Sequence, residues 1–535
     1  MSDGKAAGCS GVVAEMIKAS GEAGISLITQ LFNTIIAEKK IPSDWDMSII
    51  MNCYKGKGDA TERGNYRGLK LLEHSMKLFE RVIEQHIRAA ISMDDMQFGF
   101  MPGKGTMEAI FIIRQVQEKY LAKHQDLYLA FIDLEKAFDR VPRTVVKWAL
   151  RKAGVGEWII SVVTAMYENC KSAVSIGGST GEAFTVKVGV HQGSVLSPLL
   201  FIIVMDQLSK AFKVGLPWEL LYADDLALMA SSLQDLENKY KAWKEGMETK
   251  GLRVNINKTK VMVSRRALMP QNKTGKHPCG VCWQGVGCNS ILCTSCDCWV
   301  HKKCSGISGS LSAVRDFTCK RCSGLLPRQD DIPNTVTLNG DSLEVVQKFC
   351  YLGDMLDAGG GAQSSSITRV QCAWGKFRNL LPLLISKAVP SKVKGELYRA
   401  CVQTVMLYGS ETWPVKVEDT QRLHRNEMLM IRWICRASPL DRDSCDLLRE
   451  RLGVTPITEL MRVRRLRWFG HIERKEENCC LREVQNLEAP GKPLPGRPPK
   501  SWSEVINDDL KAKGLAPELA LNRDAWRQAI SKVTV

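Results

Sequence analysis

The sequence lacks the features of a secreted or membrane protein. Its first residues, "MSDGKAAGCSGVVAEM", have neither the basic end nor the apolar stretch of a signal peptide. No run approaches the ~20 apolar residues that a bilayer-spanning helix needs. These absences predict an intracellular, soluble protein. The chain also lacks the internal repeats of a solenoid, so we expect globular domains.

Acidic residues are scarce relative to basic ones. The 535 residues include 58 Asp and Glu against 74 Lys and Arg, which gives a net charge of +16. This balance favours a polyanionic partner, and nucleic acid is a better candidate than an acidic membrane surface. Hydrophobic residues make up 44% of the chain, which is enough for the cores of several domains.

The cysteines are numerous and unevenly distributed. Of 19 cysteines, an odd number, nine fall between Cys279 and Cys322. In a reducing compartment such a cluster indicates metal binding more than disulfides.

The pattern of apolar residues divides the chain. Up to about residue 130 it is mostly helical, as in "GEAGISLITQLFNTIIAEKKIP" and "SMKLFERVIEQHIRAAI". The runs 127–138 and 219–230 are strand candidates that carry acids. Residues 266–335 interrupt this pattern, and "TVTLNGDSLEVVQKFCYLGDML" then resumes strand-like alternation around an Asn-Gly turn. A small module inserted into a larger domain is therefore predicted, followed by a linker at 359–366 and a helical, basic remainder.

Two adjacent acids stand inside the apolar run "LLYADDLALMA". Burying Asp224 and Asp225 without compensation would be costly. If the strand ending near Phe131 lies beside this segment, Asp133 joins them, and three carboxylates can hold Mg²⁺ ions for in-line displacement at phosphorus. The alternative is that the pair occupies a polar turn and Asp133 caps a helix. The pair alone does not decide between these interpretations.

A series of motifs in fixed order carries a family resemblance. "FIDLEKAFD" (131–139), "HQGSVLSPLLFIIVMDQL" (191–208), "YADD" (222–225), "LRVNINKTKVM" (252–262) and "FCYLG" (349–353) resemble the palm motifs of reverse transcriptases of non-long-terminal-repeat (LINE-type) retrotransposons. "NYRGLKLL" and "QFGFMPGKGT" resemble the fingers motifs of that family. "LYGSETW", "RRLRWFGHIERK" and "GRPPKSW" resemble its thumb and C-terminal stretches.

The resemblance implies roles for residues of the palm. Asp133 and Asp224 would be the principal ligands of two Mg²⁺ ions, and Asp225 would be the third acid. Phe138 would be the aromatic gate that disfavours a 2′-hydroxyl on the incoming nucleotide, unless it is only a core aromatic. Gln192 and Gly193 would contact the nascent base pair and the template.

Basic residues would contact the triphosphate. Lys258 would protonate the departing pyrophosphate or pair with it, although the motif does not separate Lys258 from Lys260. In the fingers stretch, Arg67 and Lys77 are candidates for triphosphate contacts on the same logic.

The Cys-rich insert contains four pairs of possible zinc ligands, each pair separated by two residues. This spacing lets both side chains reach one tetrahedral Zn²⁺, and eight ligands make two sites. The ligands are Cys279 and Cys282, Cys293 and Cys296, His301 and Cys304, and Cys319 and Cys322.

"CTSCDCWVHKKC" resembles a plant-homeodomain (PHD) finger, a family that interleaves its two sites. The resemblance implies one zinc on Cys279, Cys282, His301 and Cys304, and the other on Cys293, Cys296, Cys319 and Cys322. Cys288 and Cys298 lie outside the pattern. PHD fingers often bind histone tails through an aromatic cage, for which Trp283 is the spare aromatic, since Trp299 fits a core position. A histone tail, a nucleic acid and a purely structural role stay open as alternatives for this module.

Together these features predict an α+β, right-hand-shaped polymerase with an inserted two-zinc module. The expected domains are fingers (1–130), palm (131–265), PHD-like finger (279–322), a primer-grip-like hairpin that ends the palm (335–358), a basic helical thumb (367–480) and a basic C-terminal tail (481–535). Partners would be an RNA template, a DNA primer and deoxynucleoside triphosphates, in the nucleus rather than the cytoplasm.

An endonuclease usually accompanies such polymerases, and no segment upstream of Lys5 could supply one. We therefore expect a fragment or a degraded copy. The alternative function is a catalytically silent relic that acts as a PHD-finger chromatin-binding or adaptor protein. Intact acids at all three palm positions argue against this alternative.

Overall fold

The computed structural model describes most of the chain. The exceptions are residues 57, 214–217, 266–278, 280, 282–285, 288, 296–297, 312–313, 315, 321, 324–333, 438–443, 492–499 and 532–535. None of the described helices has the length and apolar character needed to cross a membrane.

The described strands fall mainly into two sheets. The strands are β1 (Met47–Tyr54), β2 (Tyr66–Leu71), β3 (Leu127–Ile132), β4 (Lys171–Ile176), β5 (Ser179–Thr180), β6 (Phe184–Thr185), β7 (Glu219–Tyr222), β8 (Asp225–Ala230), β9 (Lys260–Ser264), β10 (Ser290–Leu292), β11 (Trp299–His301), β12 (Thr335–Leu338), β13 (Asp341–Val345), β14 (Lys348–Tyr351) and β15 (Asp354–Asp357). One sheet has six strands in the order β12-β13-β9-β3-β8-β7, and the other has the path β2-β1-β4-β5 with β6 beside β4.

Helices account for most of the remaining described structure. They are α1 (Ala14–Ala19), α2 (Gly21–Glu38), α3 (His74–Ala90), α4 (Thr106–Ala122), α5 (Ala137–Arg140), α6 (Arg143–Lys152), α7 (Glu157–Glu168), α8 (Ser197–Ser209), α9 (Leu233–Glu248), α10 (Lys302–Ser305), α11 (Gln363–Leu384), α12 (Ser391–Tyr398), α13 (Thr404–Met406), α14 (Val417–Cys435), α15 (Cys445–Leu452), α16 (Ile457–Glu473), α17 (Cys480–Asn486), α18 (Trp502–Lys513) and α19 (Arg523–Ser531). The predicted mixture of helices and sheets is confirmed.

The central strand β3 is buried on both faces. It pairs antiparallel with β8 on one side and with β9 on the other. Because side chains alternate along a strand, Ala130 and Ile132 enter one hydrophobic core together with α6, α8 and α9. Leu129 and Phe131 enter a second core on the opposite face, together with α4 and α16 to α19. Packing between these two cores holds the end of β3, and Asp133 directly after it, in a fixed position.

The short elements β10, β11 and α10 of the Cys-rich segment fall between β9 and β12. Beyond them, β13 pairs with β9 in the six-stranded sheet. The predicted Asn-Gly turn joins β12 to β13, with φ of 49° at Asn339 and 82° at Gly340. Two successive residues with positive φ are what a type I′ hairpin turn requires.

Three parts of the fold differ from the sequence-based expectation. The mostly helical N-terminal region also contains β1 and β2, which helical periodicity did not predict. Within the expected linker, Gln363 already begins α11, and Ser365 in its first turn donates a hydrogen bond to the Met355 carbonyl at 2.6 Å. The expected C-terminal tail forms α17 to α19, whose Trp502 and Trp526 side chains are buried in the second core.

Candidate active site

The Asp-Asp pair lies at a tight hairpin. Tyr222 of β7 pairs with Asp225 of β8, which leaves Ala223 and Asp224 as the two residues of the turn. Ala223 has a φ of 58°, a left-handed conformation that is unfavourable for a residue with a side chain and is found where the surrounding structure enforces it. The turn therefore needs support from outside the hairpin.

Gln97 supplies that support. Its side-chain Oε1 accepts hydrogen bonds from the Ala223 N–H at 3.1 Å and from the Gly99 N–H at 3.0 Å. A Cβ atom at Gly99 would come within 2.5 Å of the Ala223 nitrogen, so only glycine permits this approach. The segment "QFGF" thus supports the hairpin turn through contacts with its backbone. The sequence analysis assigned this segment to a fingers motif and gave no role to Gln97.

Asp133 reaches the same edge of the sheet. β3 ends at Ile132, which pairs with Leu226 directly after Asp225. Strand register therefore brings Asp133 beside the hairpin, as the sequence analysis supposed. Asp133 Oδ2 is a buried atom that accepts no hydrogen bond from the described residues, and its ion-pair partner is the Lys258 ammonium, 3.3 Å away. A carboxylate oxygen among other carboxylates is a suitable ligand for a hard divalent cation.

The three carboxylates interact electrostatically. Burial raises the pKa of Asp224, and the charge of Asp133 raises it further, while Arg67 and Lys258 act in the opposite direction. Asp225 keeps contact with solvent, yet the surrounding protein, and then the charges of Asp224 and Asp133, raise its pKa to about 6. Such mutual repulsion is relieved when a cation binds between the acids. The donor set therefore fits Mg²⁺.

Lys258 is the cation nearest to the acids in the "NINKTK" segment. Its Nζ lies 3.3 Å from Asp133 Oδ2. Lys260 instead forms an ion pair with Glu344 at 2.7 Å and donates to the Asn257 carbonyl. The two lysines have different surroundings because Lys260 begins β9, whereas Lys258 lies in the loop before the strand.

The loop "HQGSV" contacts Asp139 and β2. Gln192 Nε2 donates to Asp139 Oδ2 at 3.0 Å, and the Gln192 carbonyl accepts from the Lys70 N–H at 2.9 Å. Gly193 has a φ of 110°, and a Cβ there would lie 2.5 Å from the Lys70 carbonyl oxygen. Glycine is therefore required at this position for conformation and for space.

Glu80 of α3 holds that loop in place through hydrogen bonds. Its carboxylate accepts hydrogen bonds from Ser194 Oγ at 2.6 Å and from the Val195 N–H at 2.8 Å. Burial raises the pKa of Glu80. Beyond the loop, α8 begins at Ser197 with Pro198 in its first turn. Sequence reasoning missed Glu80, since nothing in the helical pattern of α3 links it to a loop more than a hundred residues away.

Phe138 is half-buried beside this loop. Its ring stacks on Phe201 of α8 with centroids 4.6 Å apart and meets Phe100 edge-on at 6.4 Å. Packing on two sides restricts the ring and agrees with the interpretation of Phe138 as a core aromatic. Its role as a steric gate stays a prediction.

Arg67 and Lys77, the two candidates for triphosphate contacts, differ in their position relative to the three acids. Arg67 of β2 is exposed and lies close enough to Asp224 to favour its charged form. Lys77 of α3 has Glu80 and Glu73 as its acidic neighbours, so the described contacts do not connect it to the three acids. Lys70, which sequence reasoning missed, is buried at the Gln192 loop, and burial lowers its pKa.

The Cys-rich insert brings its described ligands together in two groups. Cys279, His301 and Cys304 form one group, and Cys293, Cys319 and Cys322 form the other, with the donor atoms of each group within 4.8 Å of one another. These groups match the interleaved assignment. The predicted fourth ligands, Cys282 and Cys296, lie outside the described residues, as do Cys288 and the cage candidate Trp283. Each group can hold a tetrahedral metal ion once a fourth ligand is added.

The core of the insert differs from the prediction at one position. Trp299 was expected to be a core residue, but it is 36% exposed, whereas its neighbour Val300 is fully buried. Strand alternation in β11 explains this difference, because only one of two successive side chains faces the module's interior. Cys298 belongs to neither ligand group, in agreement with the spacing argument.

Comparisons with known proteins identify the central part of the chain. Residues 55–298 match the family model described as "Reverse transcriptase (RNA-dependent DNA polymerase)". The chain is 26% identical over 260 residues to the Pol polyprotein of a type-1 R2 retrotransposable element from Nasonia vitripennis, covering 46% of this chain and 25% of that protein. It is 27% identical over 237 residues to a probable RNA-directed DNA polymerase of transposon BS from Drosophila melanogaster, covering 43% and 26%.

The chain spans about a quarter of the length of these curated relatives. Among solved structures, telomerase from Candida tropicalis, in complex with a fragment of telomeric RNA, aligns over 88% of this chain and 68% of that one, with 13% identity and a TM-score of 0.33. Residues 55–298 of the chain are thus similar to reverse transcriptases, among them those of retrotransposable elements.

Proposed function

We propose that this chain is an RNA-directed DNA polymerase of a non-LTR retrotransposon, which extends a DNA primer on an RNA template. The observation that carries the proposal is the convergence of Asp133, Asp224 and Asp225 at one sheet edge, with the Lys258 ammonium 3.3 Å from Asp133. All four residues fall inside the segment that matches the reverse transcriptase family.

In this proposal the carboxylates of the hairpin and of Asp133 hold two Mg²⁺ ions, which when bound activate the primer 3′-hydroxyl and neutralise charge on the triphosphate. The 3′-oxygen forms a bond to the α-phosphorus of a deoxynucleoside triphosphate as the bond to pyrophosphate breaks. Lys258 donates a proton to the departing pyrophosphate or pairs with its charge.

The surrounding residues select the substrate. Phe138, held by Phe201 and Phe100, excludes a 2′-hydroxyl from the incoming nucleotide. Gln192, fixed to Asp139, and Gly193 contact the nascent base pair. Arg67 contacts the triphosphate, and the position of Lys77 beside Glu80 and Glu73 supports only a structural role for that lysine.

The architecture proposed for this activity is a right hand. Residues 1–130 form fingers, residues 131–265 and 335–358 form the palm with its primer-grip-like hairpin, and residues 367–480 form a helical thumb. The two Cys/His groups each hold one Zn²⁺ and make residues 279–322 a PHD-type module, for which the short distances between donor atoms are the support.

The test of the polymerase proposal is primer extension on poly(rA)/oligo(dT) with Mg²⁺ and deoxythymidine triphosphate. We expect extension by the wild-type protein and none by Asp224→Ala. Absence of extension by a folded wild-type protein would refute the proposed activity. Extension retained by Asp224→Ala would refute the assignment of the acids.

A further inference from the structure

Phe100 has an unusual backbone conformation beside the β7–β8 hairpin. Its φ is 57°, in the left-handed region that a bulky residue adopts only where the surrounding structure enforces it. Its side chain is 47% exposed, whereas Phe98, two residues earlier, is 1% exposed and belongs to the second core. Core packing therefore does not account for Phe100. A strained, half-exposed aromatic residue at this place is a candidate for a functional role.

Contacts on both sides of Phe100 enforce its conformation. The Phe100 carbonyl accepts a hydrogen bond from Arg88 Nη2 of α3 at 3.0 Å. On the other side, Gly99 packs closely against the backbone of Ala223, and the N–H groups of these two residues donate to the same acceptor, Gln97 Oε1. Phe100 therefore has a fixed position relative to the hairpin that carries the two adjacent acids.

The Phe100 ring meets Phe138, the residue predicted to be a steric gate. The ring centroids are 6.4 Å apart and the ring planes are almost perpendicular, at 86°, which is a favourable arrangement for an aromatic pair. Phe201 contacts Phe138 differently, by stacking at 4.6 Å with the planes 28° apart. Because Phe201 is fully buried, it holds the Phe138 ring against the core. Phe100 instead links that ring to the segment packed on the hairpin.

A steric gate is selective only if its distance from the bound nucleotide is fixed. In the proposed function the triphosphate is bound at the three carboxylates, so the Phe138 ring has to keep a constant position relative to them. The chain from Asp133 to Phe138 is one path between the acids and the ring, and it passes through Lys136 with a φ of 47°. The packed groups of Gly99 and Phe100 form a second path, which starts at the hairpin.

We propose that Phe100 is a positioning residue for Phe138, which couples the gate to the hairpin and thereby sets the discrimination between deoxyribonucleotides and ribonucleotides. This inference rests on the proposed polymerase function. Without the Phe100 ring, Phe138 keeps its stacking on Phe201 but can tilt, and the space available for a 2′-hydroxyl increases.

The test compares two nucleotides that differ only in the 2′-hydroxyl. An RNA template with a DNA primer presents guanine as the first unpaired base, and kcat/KM is measured with Mg²⁺ for deoxycytidine triphosphate and for cytidine triphosphate. The variant is Phe100→Ala. Phe184→Ala is the matched control, because Phe184 is also 47% exposed and is not one of the described rings that contact Phe138.

A second variant, Phe100→Gly, separates the ring from the backbone strain. It removes the same ring, while glycine adopts a positive φ without a steric penalty. Its melting temperature should therefore not fall below that of Phe100→Ala. Melting temperatures of all variants verify the fold.

We expect both Phe100 variants to lower the ratio of the two kcat/KM values roughly tenfold, which is part of the ~100-fold rejection that an apolar site gives against an added hydroxyl. The change should come from a lower KM for the ribonucleotide, because the gate acts on its binding, while kcat for the deoxyribonucleotide changes little. Phe184→Ala should keep the wild-type ratio.

A double variant distinguishes positioning from direct contact with the nucleotide. If Phe100 acts through Phe138, Phe100→Ala with Phe138→Ala discriminates as well as Phe138→Ala alone, because the two residues work as one unit. Additive losses of discrimination would overturn the proposal. An unchanged ratio in both Phe100 variants would overturn it as well.

Nucleotide binding to a complex whose primer lacks a 3′-hydroxyl separates this test from that of the polymerase proposal, because no bond can form. The dissociation constants of the two nucleotides should show the same loss of preference in Phe100→Ala. If the wild-type protein does not extend a primer but this loss is measured, only the polymerase proposal fails. If it extends a primer and the Phe100 variants keep the wild-type ratio, only the role of Phe100 fails. If it neither extends a primer nor prefers the deoxyribonucleotide in binding, both fail.

Discussion

Lys258 lies with its Nζ 3.3 Å from Asp133 Oδ2, and this pair joins two segments that are more than a hundred residues apart. The backbone holds it in place, since the Asn255 N–H donates to the Asp133 carbonyl at 2.8 Å and the Lys258 N–H donates to the Asn255 carbonyl at 3.2 Å. The loop that carries Lys258 is thereby held at the edge of the carboxylate cluster, and its ammonium can reach the place where phosphate charge would develop.

Lys258 and Lys260 can be separated by experiment. We expect Lys258→Gln to slow single-turnover nucleotide incorporation roughly 10²-fold, as for the loss of a general acid. Lys260→Gln is the matched control, because Lys260 pairs with Glu344, and it should stay within about twofold of the wild-type rate. Rapid-quench kinetics at saturating nucleotide measures both. A slower Lys260→Gln with an unchanged Lys258→Gln would reverse the assignment.

The acids can be tested without altering their shape. Asp133→Asn and Asp225→Asn each remove one negative charge. For Asp133→Asn we expect the rate of primer extension to fall roughly 10²–10³-fold, because cation binding is lost. The exposed Asp44 provides the control Asp44→Asn, with unchanged extension. Normal extension by Asp133→Asn at saturating Mg²⁺ would contradict its role as a ligand.

Glu118 of α4 predicts a pH-dependent stability. It accepts a hydrogen bond from the Trp502 N–H at 2.9 Å, and burial raises its pKa to about 7. Between the usual pKa of a glutamate and pH 7 the folded state therefore holds more protons than the unfolded state. This contribution to stability is present at low pH and is lost as pH rises through about 7.

We expect the melting temperature of the wild-type protein to fall between pH 5 and pH 8. In Glu118→Gln, whose side chain does not titrate and keeps an acceptor for Trp502, the fall should be smaller. Differential scanning fluorimetry across this range measures the two profiles. Parallel profiles would show that Glu118 does not titrate in this window.

A buried ion pair ties α4 to β15. Arg114 Nη2 lies 2.8 Å from Asp354 Oδ2, and both side chains are almost fully buried. We expect Asp354→Ala to destabilise the protein by about 3–5 kcal/mol, since it leaves the Arg114 charge buried without its partner. Denaturant unfolding measures the loss. The control Asp44→Asn, at an exposed position, should have the same free energy of unfolding as the wild type. A wild-type value for Asp354→Ala would contradict the importance of the pair.

The zinc proposed for each of the two Cys/His groups can be measured independently. We expect two zinc ions per wild-type chain and about one in Cys279→Ser or Cys293→Ser, because each change removes a ligand from a different group. Cys298→Ser, outside both groups, should retain two. Elemental analysis of the purified proteins gives the stoichiometry. Loss of zinc from Cys298→Ser alone would contradict the ligand assignment.

Much of the candidate site could be predicted from the sequence because the information is local. The acids stand at the ends of short apolar strands, and a strand's alternation and turn decide which of its side chains reach the sheet edge. The cysteine spacing likewise reflects what one tetrahedral ion needs. The wrong prediction that Trp299 is a core residue came from a motif resemblance. In the alternation of the strand, the neighbouring Val300 is the buried residue.

Supporting residues could not be predicted in this way. Gln97, Glu80 and Lys70 act through contacts with segments that lie far along the chain, and their local patterns are those of ordinary polar positions in a loop, a helix and a strand. The expected tail shows the same limitation, since only the packing of Trp502 against α4 and of Trp526 against α16 reveals that both belong to the core.

By itself, the sequence determined the order of the acids, the spacing of the zinc ligands and the positive charge, because each depends on residues close together or on composition. Only the tertiary structure decided that Lys258 rather than Lys260 faces Asp133, that Gln97 supports the hairpin, and that the Phe100 ring meets Phe138. Contacts of this kind come from the packing of distant segments around common cores, and no local periodicity encodes them.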